Sequence, residues 1–191
     1  MGICIKELRA RIAAAPTANG GATAVEFAII AAPFLFFLFV LFDLGLLYSI
    51  SASLDNAIAQ TARQIRTGSA QTQGMGPTDF KNAVCGNLAI PSANCGANLS
   101  LDVRAFSCFR DVTTPTAPVT NQTVDPTKLV FNMGGPGDII VVRAYYKWGL
   151  LAPLLENAVT PLKPGQVLVT ASTAFRNEPY GQTTPTPPSC N

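Results

Sequence analysis

The uninterrupted apolar stretch from Phe27 to Phe42 constrains this chain more than any other feature of its sequence. It contains no charged residue, and the apolar character resumes after Asp43 and continues to Tyr48. Taken as one helix, Phe27–Ile50 would be about 36 Å long at about 1.5 Å per residue, which is enough to cross a hydrocarbon core of about 30 Å. The core helix of a small domain does not need such a run. The sequence therefore predicts a transmembrane helix, which we assign to residues 22–50.

A cleaved secretory signal peptide is the alternative interpretation of this stretch. A signal peptide has a shorter apolar core, and its small-residue cleavage site follows that core. Here the glycine pair Gly20-Gly21 precedes the core, and the small residues after it (Ser49 and Ser51 to Ser53) continue into a helical pattern. The order of these landmarks favours a membrane helix.

The charges flanking the helix predict its orientation. Lys6, Arg9 and Arg11 precede it against a single acid, Glu7, and positively charged flanks stay in the cytoplasm. We therefore expect a cytoplasmic N-terminus and an extracytoplasmic domain over residues 51–191. Beyond position 21 the chain has 13 − 3 = 10 basic and 11 − 1 = 10 acidic residues, a balance that gives no sign of a nucleic-acid partner.

Four of the five cysteines fall in the predicted outer domain. An even number in an oxidising compartment predicts two disulfides, with three possible connectivities. We favour Cys85–Cys95, which closes a short loop, together with Cys108–Cys190, which would tie down the C-terminal tail. The chain has no histidine and no CxxC pair, so no metal site and no cofactor are expected.

The remaining pattern predicts an α+β fold. The long helix would continue to Thr67, with a buried stripe of Ile50, Leu54, Ala57, Ile58, Ala62 and Ile65. A short second helix would begin at a Thr78 cap and end near Gly86 to Ala89. Strands are predicted at Leu99–Phe106, Asp138–Trp148 and Gln166–Phe175. The segments 69–77, 113–127 and 133–137 are predicted loops, and Leu150–Val159 is a predicted short turn or helix.

Nothing in the sequence points to an enzyme. Without histidine, Ser-His-Asp and Cys-His arrangements are excluded, and the outer acids fall mostly at turns and strand ends, as solvated surface residues do. The MGGPG stretch at 133–137 lacks the Lys-Ser/Thr of a phosphate loop. Tyr145, Tyr146 and Trp148 could form a binding patch, although packing is the more usual role of large aromatic side chains.

Glu26 stands out because it lies at the inner end of the apolar run. It could be an interfacial residue without a role, a charge that favours the helix dipole, or a group with a partner in the membrane. The residues themselves do not separate these three interpretations.

The sequence around Glu26 resembles the processing site of type IV prepilin-like proteins. In those proteins a peptidase cuts after a glycine, and a glutamate occupies the fifth position of the mature chain. Cleavage between Gly21 and Ala22 would give Glu26 that place, and residues 1–21 would be a leader peptide. The wider pattern is similar to the TadE-like family, through Val25-Glu26-Phe27-Ala28, Pro33, Asp43-Leu44-Gly45, Ala62-Arg63 and, more weakly, Ala174 to Tyr180.

This resemblance implies a non-enzymatic minor pseudopilin that initiates, assembles or caps a tight-adherence (Flp/Tad) pilus. A prepilin peptidase, other pilin-like subunits and the inner-membrane Tad platform would be its partners. Glu26, Pro33, Asp43 and Gly45 would act in helix pairing and assembly, with Glu26 beside an N-terminal amine. Asp43 could instead sit at the outer membrane interface, and Pro33 could be a packing feature or a hinge. The alternative function is an uncleaved, membrane-anchored periplasmic binding or enzymatic domain.

Overall fold

The computed structural model describes residues 20–89, 94–112, 117–150, 162 and 165–181. The chain divides into two compact units, Met1–Leu41 and Phe42–Asn191. Helix α1 (Gly20–Arg66) is 47 residues long and contains Pro33. Arg63 and Arg66 lie in its last turn, where cations are favourable beside the carbonyl end of a helix.

Three strands form one antiparallel sheet in the second unit. They are β1 (Leu99–Phe106), β4 (Ile139–Gly149) and β5 (Gln166–Arg176), in the spatial order β1-β4-β5. The central strand β4 pairs with β5 over its full length, from Ile139 opposite Arg176 to Gly149 opposite Gln166. Each predicted strand is confirmed to within a residue or two of its bounds, and the α+β fold is confirmed with them.

The outer half of α1 packs its predicted stripe against the core. All six stripe residues are buried, with Ile50, Leu54 and Ile65 at 0% exposure. They share a core cluster with one face of the sheet, including Val103, Val142 and Tyr146. Because successive strand residues face opposite sides, the residues between these, such as Asp102, Arg143 and Tyr145, lie on the other face.

Short elements connect the helix to the sheet. After α1 come α2 (Ser69–Thr72), α3 (Pro77–Gly86) and α4 (Cys95–Asn98). The prediction of a Thr78 cap is wrong, because the N-cap of α3 is Gly76 and its backbone N–H donates to the Asp79 carboxylate at 3.0 Å. Pro77 then takes the first helical position, where its missing N–H costs nothing. The predicted loop at 69–77 also contains α2.

The predicted loop at 113–127 contains a two-residue hairpin that the sequence did not reveal. Strands β2 (Val119–Thr120) and β3 (Thr123–Val124) pair around Asn121 and Gln122, which both have positive φ. Two such residues form the hairpin turn that matches strand twist. Strands of two residues are too short to show an alternation of apolar and polar side chains. Of the predicted turn or helix at Leu150–Val159, only Leu150 is among the described residues.

The structure contains the Cys85–Cys95 disulfide favoured from the sequence, with Cα atoms 5.9 Å apart. The bridge joins α3 to α4 directly before β1. Cys108 is also disulfide-bonded. Its predicted partner, Cys190, lies outside the described residues, so the Cys108–Cys190 pairing stays a prediction.

Candidate processing and assembly site

The first part of α1 exposes apolar side chains in every direction. None of residues 21–42 is buried, and Phe27, Ile29 and Leu41 are each about 70% exposed, at 72%, 69% and 70%. An apolar surface of this extent is unfavourable in water at about 25 cal/mol per Å². Within the described residues, α1 is the one helix long and apolar enough to cross a membrane. The segment therefore supports membrane anchoring.

Gly21 and Ala22 lie in the first turn of α1, next to its first residue, Gly20. A Cβ placed on Gly21 would meet no atom within 4 Å, and Gly21 does not have a positive φ. Neither packing nor backbone conformation in the described part of the chain therefore requires glycine at this position.

Glu26 lies one helical turn beyond Ala22, and its side chain is exposed. Among the described residues no cation lies within ion-pair distance of its carboxylate. Residues four apart on a helix are neighbours on its surface. A charged group on Ala22 would therefore be within reach of Glu26, and no other described residue of the chain competes for it.

Pro33 lies inside α1, which continues through it. Its ring removes the hydrogen bond that an N–H would donate to the carbonyl of Ile29. Gly45 lies further along the same helix, and a Cβ there would meet no atom within 4 Å. Both positions lie on helical surface that the described chain does not fill, so they stay candidates for helix pairing.

Asp43 is in a different situation from the apolar residues beside it. It is only 1% exposed, whereas Phe42 and Leu44 are 58% and 44% exposed. Its spacing from Ile50 places it on the face of α1 that carries the buried stripe. Asp43 is therefore covered within its own chain, and its role in helix pairing stays a prediction.

The aromatic side chains near the end of β4 are largely buried. Tyr146 is 1% exposed and belongs to the core, where its ring lies 6.5 Å from that of Trp148. Tyr145 is 3% exposed on the other sheet face, and burial raises the pKa of its hydroxyl. The packing interpretation of these aromatic residues fits their burial.

A buried charge cluster on that second sheet face was missed from the sequence. The Asp102 carboxylate accepts from Arg104 Nε at 3.0 Å, from Arg143 Nη1 at 3.5 Å and from the Val130 N–H at 2.9 Å. Asp102 is 3% exposed and Arg143 is 9% exposed. The only hint in the sequence was charged residues in mid-strand, at alternate positions of β1.

A cavity of about 370 Å³ lies beside this cluster, lined by Asp102, Arg104, Ala117, Pro118, Val119, Lys128 and Tyr145. Its cations are already engaged: Arg104 Nη2 donates to the Lys128 carbonyl at 2.9 Å, and Lys128 Nζ donates to Thr120 Oγ1 at 2.7 Å. Within the described residues no group of three possible metal ligands is present. The described cations of the cavity wall therefore donate to groups of the protein itself.

The glycine-rich stretch at 133–137 forms a turn, as predicted. Gly134 and Gly137 have positive φ, and the Gly135 N–H donates to the Asp138 carboxylate at 2.7 Å. The turn leads directly into β4.

Comparison with known protein families gives a match within α1 and none in the sheet. Residues 21–63 match the model of a family described as TadE-like protein, which confirms the resemblance over the apolar segment and most of the buried stripe. No curated protein and no solved structure matches the chain.

Proposed function

We propose that this chain, which carries a TadE-like domain over residues 21–63, is a minor pseudopilin of a Flp/Tad-type pilus. It would help to initiate, assemble or cap the fibre. The observation that carries the proposal is the exposed apolar first part of α1, with Gly21 at its start and Glu26 one turn later. A helix with this surface needs either lipid or other apolar helices around it.

Processing is the first step of this function. A prepilin peptidase would hydrolyse the peptide bond between Gly21 and Ala22 and leave a free amine on Ala22. The structure supports this site because Gly21 has no packing or backbone role, so its small size is available for recognition by a peptidase. The new amine would lie four positions before Glu26, which is neighbour distance on a helix.

Assembly is the second step. Small residues near the start of α1, among them Ala24, Ala28 and Ala31, allow apolar helices to approach closely in a membrane or fibre. In such surroundings a carboxylate is costly unless it is paired. Glu26 would pair with the N-terminal amine of its own or a neighbouring subunit, and this pairing would fix the axial register of the two helices.

The orientation, location and partners that we propose follow from α1 acting as a membrane anchor. The N-terminus would be cytoplasmic and the sheet domain periplasmic, in a bacterial inner membrane. Other pilin-like subunits and the Tad assembly platform would be the partners. The domain would act by binding and not by catalysis, since its buried charges hold each other in the Asp102 cluster.

The N-terminal residue of the membrane-extracted protein tests the proposal. Intact mass and peptide sequencing would be measured in cells with and without the prepilin peptidase. We expect a chain that starts at Ala22 only when the peptidase is present. A chain that keeps its leader in both strains would overturn the proposal and favour an uncleaved, anchored periplasmic domain.

Two glycine variants sharpen this test. Gly21→Leu should block cleavage, because a bulky side chain would precede the cleaved bond. Gly20→Leu is the matched control and should still yield a chain that starts at Ala22. If only Gly20→Leu blocks cleavage, the processed bond is one residue earlier and Glu26 becomes the sixth residue of the mature chain.

A further inference from the structure

Two sequons for N-glycosylation, the tripeptide Asn-X-Ser/Thr, are present in the chain. They are Asn98-Leu99-Ser100 and Asn121-Gln122-Thr123. In a protein domain outside the cytoplasm, such a tripeptide in a surface loop marks an asparagine that can carry a sugar. A pattern of two fixed residues also arises by chance, so the position of each asparagine in the fold has to decide between them.

The first sequon is built into the sheet. Asn98 is half-buried at the end of α4, and Leu99 begins β1, where it pairs with Tyr146 and is 1% exposed. Ser100 continues the same strand opposite Tyr145. An enzyme that binds this tripeptide would have to pull the start of β1 away from β4. The structure therefore argues against Asn98 as an acceptor.

The second sequon forms the tip of the β2–β3 hairpin. Asn121 and Gln122 are the two turn residues, with φ of 50° and 58°, and both are exposed, as is Thr123. The two strands are joined by only two residue pairs. A hairpin this short is marginally stable, and an exposed segment with few buried contacts opens at little cost in free energy. The tripeptide can therefore enter the binding cleft of an enzyme without disturbing the core.

The hydrogen bonds around the tip are made by the neighbours of Asn121. The Thr123 hydroxyl donates to the Thr120 carbonyl at 3.0 Å, and Lys128 Nζ donates to Thr120 Oγ1 at 2.7 Å. Among the residues that the structure describes, none forms a hydrogen bond with the side-chain amide of Asn121. Its Nδ2 atom is therefore open to a reagent from solution.

We propose that Asn121 carries an N-linked sugar. The donor would be a glycosyl diphosphate held on a lipid. In the transfer, the bond between C1 of the sugar and the diphosphate oxygen breaks, a bond between C1 and Asn121 Nδ2 forms, and Nδ2 loses one proton. The lipid diphosphate leaves with the electron pair, so the step needs no oxidant or reductant. The inference rests on the proposed function, because it takes the periplasmic location of the hairpin from it.

Mass spectrometry of the protein purified from the membranes of the cells that produce it tests this inference. Tryptic cleavage after Arg110 and Lys128 releases residues 111–128, which contain Asn121 and not Asn98. We expect this peptide to carry the added mass of one or more sugar residues, and fragmentation by electron transfer should place that mass on Asn121. An unmodified peptide, or a sugar on one of its threonines, would overturn the proposal.

Variants of the sequon provide the second test. Thr123→Ala should abolish the added mass, whereas Thr123→Ser should retain it, since either hydroxyl residue completes the sequon. Asn121→Asp keeps a residue that tolerates positive φ but lacks the acceptor nitrogen, so it should also lose the mass. Asn98→Gln is the matched control and should keep the sugar on residues 111–128. Sugar on this peptide in Thr123→Ala or Asn121→Asp would contradict the assignment.

The N-terminus of the same preparations separates this inference from the proposed function. A chain that starts at Ala22 and has no sugar would support the pseudopilin function and overturn the modification. A chain that keeps its leader and carries the sugar would refute processing and support Asn121 as an acceptor.

Discussion

The ring of Tyr180 occupies the space that a side chain at Gly68 would need. A Cβ built on Gly68 would collide with three atoms of the Tyr180 ring, and Gly68 has φ +77°. The neighbouring Glu178 N–H donates to the carbonyl of Arg66, the last residue of α1, at 2.8 Å. The segment after β5 thus closes over the end of the long helix, and only glycine permits the contact.

Gly68→Ala should therefore lower the free energy of unfolding by more than the backbone strain of a positive φ alone would cost. We expect a loss of about 2–4 kcal/mol, from about 1 kcal/mol for the positive φ and the rest from overpacking. Thermal unfolding of the detergent-solubilised chain measures it. Gly74→Ala is the matched control, because Gly74 has φ +64° and an added Cβ meets nothing within 4 Å. Equal losses in the two variants would argue against the Tyr180 contact.

Asn177 should be a second point of high sensitivity. It is 3% exposed, and its Nδ2 donates to the carbonyls of Met133 and Gly135 at 3.0 Å each. Asn177→Ala leaves two carbonyls without this donor, which costs about 1–3 kcal/mol. Denaturant unfolding would report the loss. The exposed Asn82→Ala should stay within about 0.5 kcal/mol of the parent, and a similar loss there would show that Asn177 has no special role.

Asp102 should be more important for stability than a surface carboxylate. Asp102→Ala removes a carboxylate that is 3% exposed and that accepts from Arg104, from Arg143 and from the Val130 N–H. Removing one partner of a buried pair costs about 3–5 kcal/mol. The expected result is a large fall in unfolding temperature. Asp111→Ala provides the comparison, because the Asp111–Arg110 pair is exposed on both sides. Similar effects of the two substitutions would contradict a buried role for Asp102.

The Cys85–Cys95 disulfide should stabilise the domain by limiting its unfolded state. The bridged cysteines are 10 positions apart, and the chain-entropy relation gives about 3 kcal/mol for a loop of that size. Cys85→Ala/Cys95→Ala should lower the unfolding midpoint accordingly, as measured by denaturant titration. Reductant should destabilise the parent chain more than this variant. No difference between them would show that the bridge contributes little.

Glu26 should be dispensable for insertion and necessary for assembly. Glu26→Ala removes the carboxylate from an exposed position of α1, so the anchor stays intact. Membrane fractionation should therefore show normal levels, while incorporation into pili should be abolished. Glu26→Gln is the close control, since it keeps the size of the side chain and removes only its charge. Normal piliation with Glu26→Ala would refute the pairing hypothesis.

The elements with strong periodicity were predictable from the sequence. The stripe from Ile50 to Ile65 and the strands β1 and β5 show the period of their structure, because burial on one face imposes it. The apolar run was predictable from its length, and β4 from its β-branched and aromatic residues. The family resemblance of the N-terminal segment was also visible, because Gly21, Glu26 and Pro33 lie close together in the sequence. Each of these signals is local.

The tertiary structure decided what depends on residues far apart in the chain. It buried Asp43 beneath its own chain, brought Asp102 of β1 to Arg143 of β4, and placed Tyr180 against Gly68. It also covered the β1 edge with Val130 to Asn132. None of these contacts has a repeating local signature, since each arises only when the sheet and α1 bury a common core. The sequence determined the long apolar helix and its neighbouring core stripe, whereas the folded domain determined which distant side chains meet.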